Sequence, residues 1–353
     1  MELKDNKRVL QKMRAFDRYI SKHGNVGTAP RGILLNYSNA CNFKCQQCFT
    51  QSPSRPVCGT LSLDDIRKLA DEADELGMYE VLIEGGEPLV CKELYEIIRI
   101  FGADRFYIEM TSNGYLLTKD VAQRLKEAGM SRVSISLDST TAEVHDSYRG
   151  VKGAYEHAIQ ALDNAKNAGM QASVNFLVGH YNIHSGEVEE IAEFCQVHDY
   201  HFSIVPATPT GNWKGKFDVM LTPEDTVYLE TLRTRYKHFW RDIWPPLPNK
   251  KVKVSGCIAV NRPYINPYGD VLPCSYLHMK LGNIKEKSLK EIMEYGFSYP
   301  CFGNPHECCY AGEDPEFMEK YCKTGSVLWT SGEILLRYCK DKLGIRNNYH
   351  SRQ

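Results

Sequence analysis

Cys41, Cys45 and Cys48 fall in the run CNFKCQQCF, directly after GILLNYS, an apolar segment of strand character. Three thiols on so short a loop can converge on one metal centre, yet they cannot complete a tetrahedral zinc site alone. A cubane iron–sulfur cluster takes four thiolates, so three leave one iron with the open position that a catalytic metal needs. Zinc with a distant fourth ligand, or a redox pair from Cys45-x-x-Cys48, are the other chemistries these thiols allow. The chain has 13 cysteines, an odd number, and seven follow residue 256. In a reducing compartment such clusters point to metal or catalysis rather than disulfides. Cys195, in EEIAEFCQVHDY, sits on an apolar helix face and reads as a small buried hydrophobe.

The elements that position the first loop alternate. GILLNYS, YEVLIEGG, RFYIEMTS, RVSISLD, ASVNFLVG and HFSIVPA read as strands. Between them LSLDDIRKLADEADELGM, KDVAQRLKEAGM and GAYEHAIQALDNAKNAGM carry apolar residues at helical spacing and end in Gly-Met. Strands alternating with helices predict an α/β fold with a parallel sheet and right-handed crossovers. Six strands are too few for an eight-stranded barrel and predict a partial (β/α)6 TIM-like barrel, with the chemistry at the C-terminal strand ends. A seventh helical stretch runs from Thr222 to about Trp240, and the Pro-rich WPPLPNKK places a boundary near residue 250. The expected organisation is an N-terminal helical extension (1–30), the partial barrel (31–250), a cysteine-rich hairpin and helix domain (251–325) and a C-terminal helix (326–353).

With an aromatic residue, Phe49, after the third cysteine, C-x3-C-x2-C resembles the signature of radical S-adenosylmethionine (SAM) enzymes. The resemblance implies that Cys41, Cys45 and Cys48 hold a 4Fe-4S cluster whose open iron chelates SAM, with Phe49 near the adenine. Reductive cleavage of SAM then gives a 5′-deoxyadenosyl radical that abstracts a substrate hydrogen. Further motifs stand where that family has them, at consecutive strand ends. IEGGEP ends the second strand, and Gly85, Gly86, Glu87 and Pro88 would hold the SAM amino group. TSNG and SLDS end the third and fourth strands. By the same resemblance Ser112, Asn113, Ser136 and Asp138 contact the ribose and carboxylate. Asn175 is similarly placed on the fifth strand, and Arg149 in HDSYRG is a candidate partner of the carboxylate.

Cys257 and Cys274 bracket NPYGD, a turn signal between β-type runs, with eleven residues between Cys257 and Gly269. This C-x11-G-x4-C resembles the opening of the SPASM and twitch extensions that follow many radical SAM barrels and bind two or one auxiliary clusters. The chain departs from the full SPASM pattern, since it has no C-x2-C after Cys274. One auxiliary 4Fe-4S cluster is expected, held by Cys257, Cys274 and two of Cys301, Cys308, Cys309 and Cys322; two clusters, or a closed zinc knot on the same thiols, are the alternatives. Cys339 is assigned to the terminal helix.

An auxiliary cluster could accept the electron of a substrate radical, giving a dehydrogenase. Hydrogen return from a thiol would give an epimerase, and Cys58 and Cys91 are the candidate donors. Alcohol oxidation needs a general base, and His180, His184, His201 and Asp218 follow late strands without one being singled out. Thr208, Thr210, Asn212 and Trp213 after the sixth strand would suit a sugar, aminocyclitol or nucleoside-type substrate. Only about thirty residues precede the first strand, short of an added leader-binding domain, so a small molecule is preferred to a peptide. A maturase acting on a ribosomal peptide and a non-catalytic iron–sulfur or zinc scaffold are the rivals. A reductant such as flavodoxin or ferredoxin is the implied partner. Composition bounds the rest. At 42% hydrophobic and 25% charged the chain is a packed protein rather than a disordered one. A net charge of -1 provides no global field for nucleic acid or anionic membrane. No apolar run reaches the about 18 residues that span a bilayer, and MELKDNKRVLQKMRAF lacks a signal peptide's apolar core, so a cytoplasmic location is expected.

Overall fold

The computed structural model describes residues 6–24, 26–50, 59–241, 257–303 and 308–322. Cys58, Cys339, the boundary near residue 250 and the segment 326–353 lie outside the described residues, as does the side chain of Cys322.

All six expected strands form: β1 (Gly32–Asn36), β2 (Glu80–Glu84), β3 (Tyr107–Ser112), β4 (Arg132–Ser136), β5 (Gln171–Val178) and β6 (His201–Pro206). They pair in parallel and in chain order. Along each strand alternate residues face opposite ways. Ile33, Leu35, Val81, Ile83, Ile108, Met110, Val133, Ile135, Val174 and Phe176 belong to the continuous apolar core beneath the helices. Those helices include α2 (Leu63–Glu75), α3 (Leu94–Phe101), α4 (Lys119–Ala128), α5 (Ala142–Arg149), α6 (Ala154–Asn167) and α7 (Glu187–His198). Cys195 is buried on α7 within that core, as its apolar surroundings predict. An N-terminal helix, α1 (Lys7–His23), buries Val9, Phe16 and Ile20 against Tyr79, at the foot of β2.

The sheet is longer than six strands and remains open, with ten strands in the order β10-β9-β8-β1-β2-β3-β4-β5-β6-β7. The expected helix from Thr222 to about Trp240 is a shorter helix, α8 (Pro223–Arg235), followed by β7 (Phe239–Arg241), which pairs in parallel with β6. His238, at φ 58°, ends any continuation of the helix, and Phe239 and Arg241 are then buried as alternate strand residues. At the other edge, β8 (Tyr264–Ile265) and β9 (Asp270–Leu272) form the expected hairpin, and β10 (Gly282–Asn283) pairs antiparallel with β9. Gly269 supplies the turn's positive φ of 85°, and Asn266 Oδ1 accepts from the N–H groups of Tyr268 and Asp270. The hairpin is no free-standing unit: β8 pairs in parallel with β1, so the cysteine-rich segment continues the barrel sheet. Beneath that junction Glu80 binds Arg31 at 2.9 Å and Arg262 at 2.8 Å, tying the feet of β1 and β2 to the hairpin. The chain continues through α9 (Leu289–Phe297), α10 (Pro300–Gly303), α11 (Tyr310–Glu313) and α12 (Pro315–Cys322).

Candidate active site

One cavity of about 260 Å³ opens at the C-terminal strand ends, and Cys41, Cys45, Cys48 and Phe49 line it. Their loop is held from several sides. Asn212 donates from its backbone N–H to Cys48 O and from Nδ2 to Cys45 O, both at 3.0 Å. Gln46 N–H donates to Tyr148 O on α5 at 3.0 Å. Behind the loop runs the GGEP segment, where a Cβ on Gly86 would stand 2.1 Å from Ala40 O and one on Gly85 2.1 Å from Asn36 Oδ1. Gly85 also has φ 123°, which a side chain would strain. The two glycines therefore let the strand end pack directly on the Asn36 side chain and the Ala40 backbone beside the thiols, and both line the cavity.

Other residues expected from the strand ends divide into two sets. Gly85, Gly86, Glu87, Ser112, Asn113, Ser136, Asn175 and Arg149 line the cavity. Pro88 and Asp138 do not. Pro88 is buried at the start of a short 3-10 turn, Pro88–Val90. Glu87 is engaged within the protein: it accepts from Ser112 Oγ and Asn113 N–H, each at 2.8 Å, and from Leu89 N–H at 3.1 Å. It thereby braces the ends of β2 and β3 against each other. Asp138 receives Arg149 Nε at 2.6 Å and Nη2 at 2.9 Å, while Arg149 Nη1 lies 3.8 Å from Cys45 Sγ. The guanidinium thus carries a buried carboxylate on one side and a cavity thiol on the other.

His145, fully buried behind Asp138, accepts the Asp138 N–H at Nδ1 over 3.1 Å, so its imidazole is neutral. Burial pushes its pKa down to about 4, against the opposing pull of Asp138. An unfolded imidazole takes up its proton near pH 6.5 while the native one stays neutral. The contribution is therefore complete above pH 6.5 and is lost as pH falls from there toward 4, on the order of 3 kcal/mol at 1.36 kcal/mol per pH unit. Urea midpoints of the metal-free chain measured across this window should fall less steeply for His145→Gln; parallel slopes would refute the assignment.

The second group of thiols meets the first. Cys257, Cys274 and Cys309 line the same cavity. Burial pushes the Cys257 thiol up to about 12 and the Cys274 thiol up to about 11. Cys308 is half-buried beside them but off the cavity wall, and Cys301 is buried in the apolar core on α10, its carbonyl accepting Tyr310 Oη–H at 3.2 Å. Among the described residues no three His, Cys, Asp or Glu side chains are set to hold a single metal ion. A cubane makes a different demand, because each thiolate binds a separate iron.

The expected bases and hydrogen donor are placed elsewhere. His180 Nδ1 and His184 Nε2 pair with Asp225 at the start of α8, at 2.8 and 3.0 Å, on exposed loop surface. His201 does not follow a strand: it opens β6 at the opposite end of the barrel, against Gln171, with its pKa pushed down to about 4 by burial. Asp218 sits in a 3-10 turn, Phe217–Val219, off the cavity wall. Cys91 closes the turn after GGEP, its thiol 3.4 Å from Glu93 Oε2, also off the wall. Thr208 and Trp213 do line the cavity, whereas Thr210 bonds to Thr208 at 2.8 Å and Asn212 serves the cysteine loop.

Sequence reasoning missed the polar residues that line the cavity further into the barrel: Glu84, Glu109, Thr111, Arg132, Ser134, Ser203 and Arg262. Glu109 and Arg132 form an ion pair across β3 and β4, and Glu84 accepts from Ser275 Oγ at 2.6 Å. A signal was present. Strands of a parallel sheet covered by helices read as continuous apolar runs, yet YIEMTS, RVSIS and HFSIVP place polar residues at alternate positions. That alternation is complete in YIEMTS and RVSIS, whereas in HFSIVP it holds for His201 and Ser203 and stops at Val205; between helices it marks an interior that is wet.

An α/β open barrel with three converging thiols at its mouth and a thiol-bearing hairpin on its edge defines a class, and sequence comparison agrees. Residues 35–195 match the radical SAM superfamily, and residues 257–324 match an iron–sulfur cluster-binding domain, SPASM. The chain belongs to the radical SAM superfamily and is an enzyme of that class. It is similar to the AdoMet-dependent heme synthase of Methanosarcina barkeri, 27% identical over 79% of this chain and 86% of that protein. It is similar also to the subtilosin biosynthesis protein AlbA of Bacillus subtilis, 27% identical over 83% of this chain and 66% of that protein. Streptococcus suis SuiB, solved with its precursor peptide SuiA, shares the fold at a TM-score of 0.60 and 17% identity, over 84% of this chain and 70% of SuiB.

The family brings a SAM-binding 4Fe-4S cluster and auxiliary iron–sulfur chemistry. The residues present fit both: three thiols of one short loop line a cavity together with Gly85 and Gly86, and three more, Cys257, Cys274 and Cys309, line the same cavity. No described helix is long and apolar enough to cross a membrane.

Proposed function

We propose that the chain is a radical SAM oxidoreductase that dehydrogenates a hydroxyl-bearing small molecule of sugar, aminocyclitol or nucleoside type. One observation carries this reading: Cys257, Cys274 and Cys309 line the same cavity as Cys41, Cys45 and Cys48. Bound there, SAM and its cluster supply a hydrogen-abstracting radical, and an auxiliary cluster on the second thiols supplies a one-electron acceptor. Protein side chains do the rest. Thr111, Ser134, Ser136, Ser203 and Thr208 offer hydroxyl partners in the cavity, and Glu84 lines it with Ser275 holding one carboxylate oxygen. Trp213 and Tyr276 add apolar planes that exclude water. A flavodoxin- or ferredoxin-type reductant in the cytoplasm completes the scheme, and no nucleic acid enters it.

The test is isotopic. Reconstituted enzyme with SAM, dithionite and C-deuterated polyols, aminocyclitols or nucleosides should yield 5′-deoxyadenosine carrying substrate deuterium and a carbonyl product that has lost that deuterium and one hydroxyl hydrogen. The Cys257→Ala/Cys274→Ala variant should still form 5′-deoxyadenosine but no oxidised product. A product of unchanged formula that picks up solvent hydrogen would make the enzyme an epimerase. Deuterium transfer from peptides alone would replace the small-molecule reading.

A further inference from the structure

α11 is fastened to the barrel by charge. Glu313, its last residue, accepts the Cys309 backbone N–H at Oε2 over 2.7 Å and the Thr226 Oγ–H at Oε1 over 2.9 Å. Oε1 also receives the guanidinium of Arg241, the last residue of β7. Both partners are almost wholly enclosed, with side chains 2% exposed for Arg241 and 4% for Glu313. Backbone contacts accompany the pair. Leu221 N–H donates to Gly312 O at 3.0 Å, and a Cβ on Gly312 would stand 2.7 Å from Pro206 Cβ. The late strands of the barrel thus grip the one short helix that follows Cys309.

Stability alone explains such a pair poorly. Desolvating two charges offsets most of their attraction, and apolar residues of the same volume would pack at least as well. Its place is informative: Glu313 is bonded to the backbone of a thiol that shares the cavity with Cys257 and Cys274. The reduction potential of an iron–sulfur site depends on net charge, hydrogen bonding and burial around it. A fixed carboxylate nearby opposes the arrival of an electron, and a guanidinium favours it.

We propose that the Arg241–Glu313 pair is a positioning device that holds Cys309 on the cavity wall and sets the reduction potential of the auxiliary site. The inference rests on the reading that Cys257, Cys274 and Cys309 bind that site. The two charges nearly cancel as a pair, so removing one exposes the other. Arginine keeps its proton at any working pH. Glu313→Gln, which retains size and a carbonyl acceptor for the Cys309 N–H, therefore leaves an uncompensated positive charge beside the site.

The experiment uses the full chain carrying Cys41→Ala, Cys45→Ala and Cys48→Ala, so that only auxiliary iron remains, and reads its midpoint potential by electron paramagnetic resonance. Adding Glu313→Gln should move the midpoint to more positive potential with iron content unchanged. Adding Arg241→Met to that variant should bring it back to the parent value, a reversal that loss of packing would not produce. An unmoved midpoint with iron retained, or a double variant as displaced as the single one, overturns the proposal. Should Glu313→Gln shed its iron, Arg241→Met alone carries the test: Glu313 still holds the Cys309 N–H while its charge is uncompensated, so the midpoint must move to more negative potential, and an unmoved or positive one is equally fatal. A parent that binds no iron would remove the oxidoreductase reading along with this inference. An iron-loaded parent with an insensitive potential removes this inference alone.

Discussion

Replacing Cys41, Cys45 and Cys48 together by alanine should lower the iron content of the reconstituted chain from about eight to about four and abolish SAM cleavage altogether. The expectation follows from the lining of one cavity. The three thiols lie on one short loop and face that cavity together with Gly85, Gly86 and Glu87. Asn212 and Gln46 hold the loop by its backbone, so alanine at the three positions removes ligands without unfastening the loop. Residual iron then belongs to the thiols of the hairpin side. A residue of about four supports one auxiliary cluster; about eight would mean two, and zinc in place of iron would leave the enzyme without its internal electron acceptor. Complete loss would mean that the second thiol group binds no iron.

The second large effect is expected at Arg149. Asp138 is 7% exposed at its side chain and Arg149 12%, and two hydrogen bonds of 2.6 and 2.9 Å join them. Arg149→Met leaves that carboxylate buried beside Gln47, with its principal counter-charge gone. Breaking a buried pair from one side typically costs about 3–5 kcal/mol, a large fraction of a domain's stability. The denaturant midpoint of the metal-free variant should drop accordingly. Arg149→Met/Asp138→Asn should recover much of the loss, because the stranded charge is gone. Equal destabilisation of the single and double variants would show that packing, not charge, is what Arg149 provides. The arginine also touches Cys45 at 3.8 Å, so the metal-free chain is the proper material: cluster loss then cannot masquerade as loss of fold.

Local chemistry made much of this legible. The helices between the six parallel strands carry their own boundaries, as in α2, where Ser62 and Asp65 form a reciprocal cap, and α4, which ends at Gly129 in the left-handed region. Spacing alone brought Cys41, Cys45 and Cys48 onto one short loop, and the turn at Asn266–Asp270 was readable from Asn and Gly. Where local signals conflicted, tertiary contacts decided. KHFW reads on as helix from α8, but the edge of β6 offered hydrogen bonds and burial that a strand could take.

The functional residues divide along the same line. Sequence by itself determined the kind of chemistry, because ligand spacing within a loop is a property of neighbours in the chain. Which distant residues face each other was decided by the barrel. Pairing of β8 with β1 brings Cys257 and Cys274 to the cavity that the first thiols line, and the sheet's twofold periodicity turns Glu84, Glu109, Arg132 and Ser134 inward. The same closure leaves His180, His184 and Cys91 outside the cavity, though each follows or adjoins a strand end in the sequence. Proximity along a chain limits which groups can meet only within a few residues; beyond that, strand register and the direction of each side chain settle it.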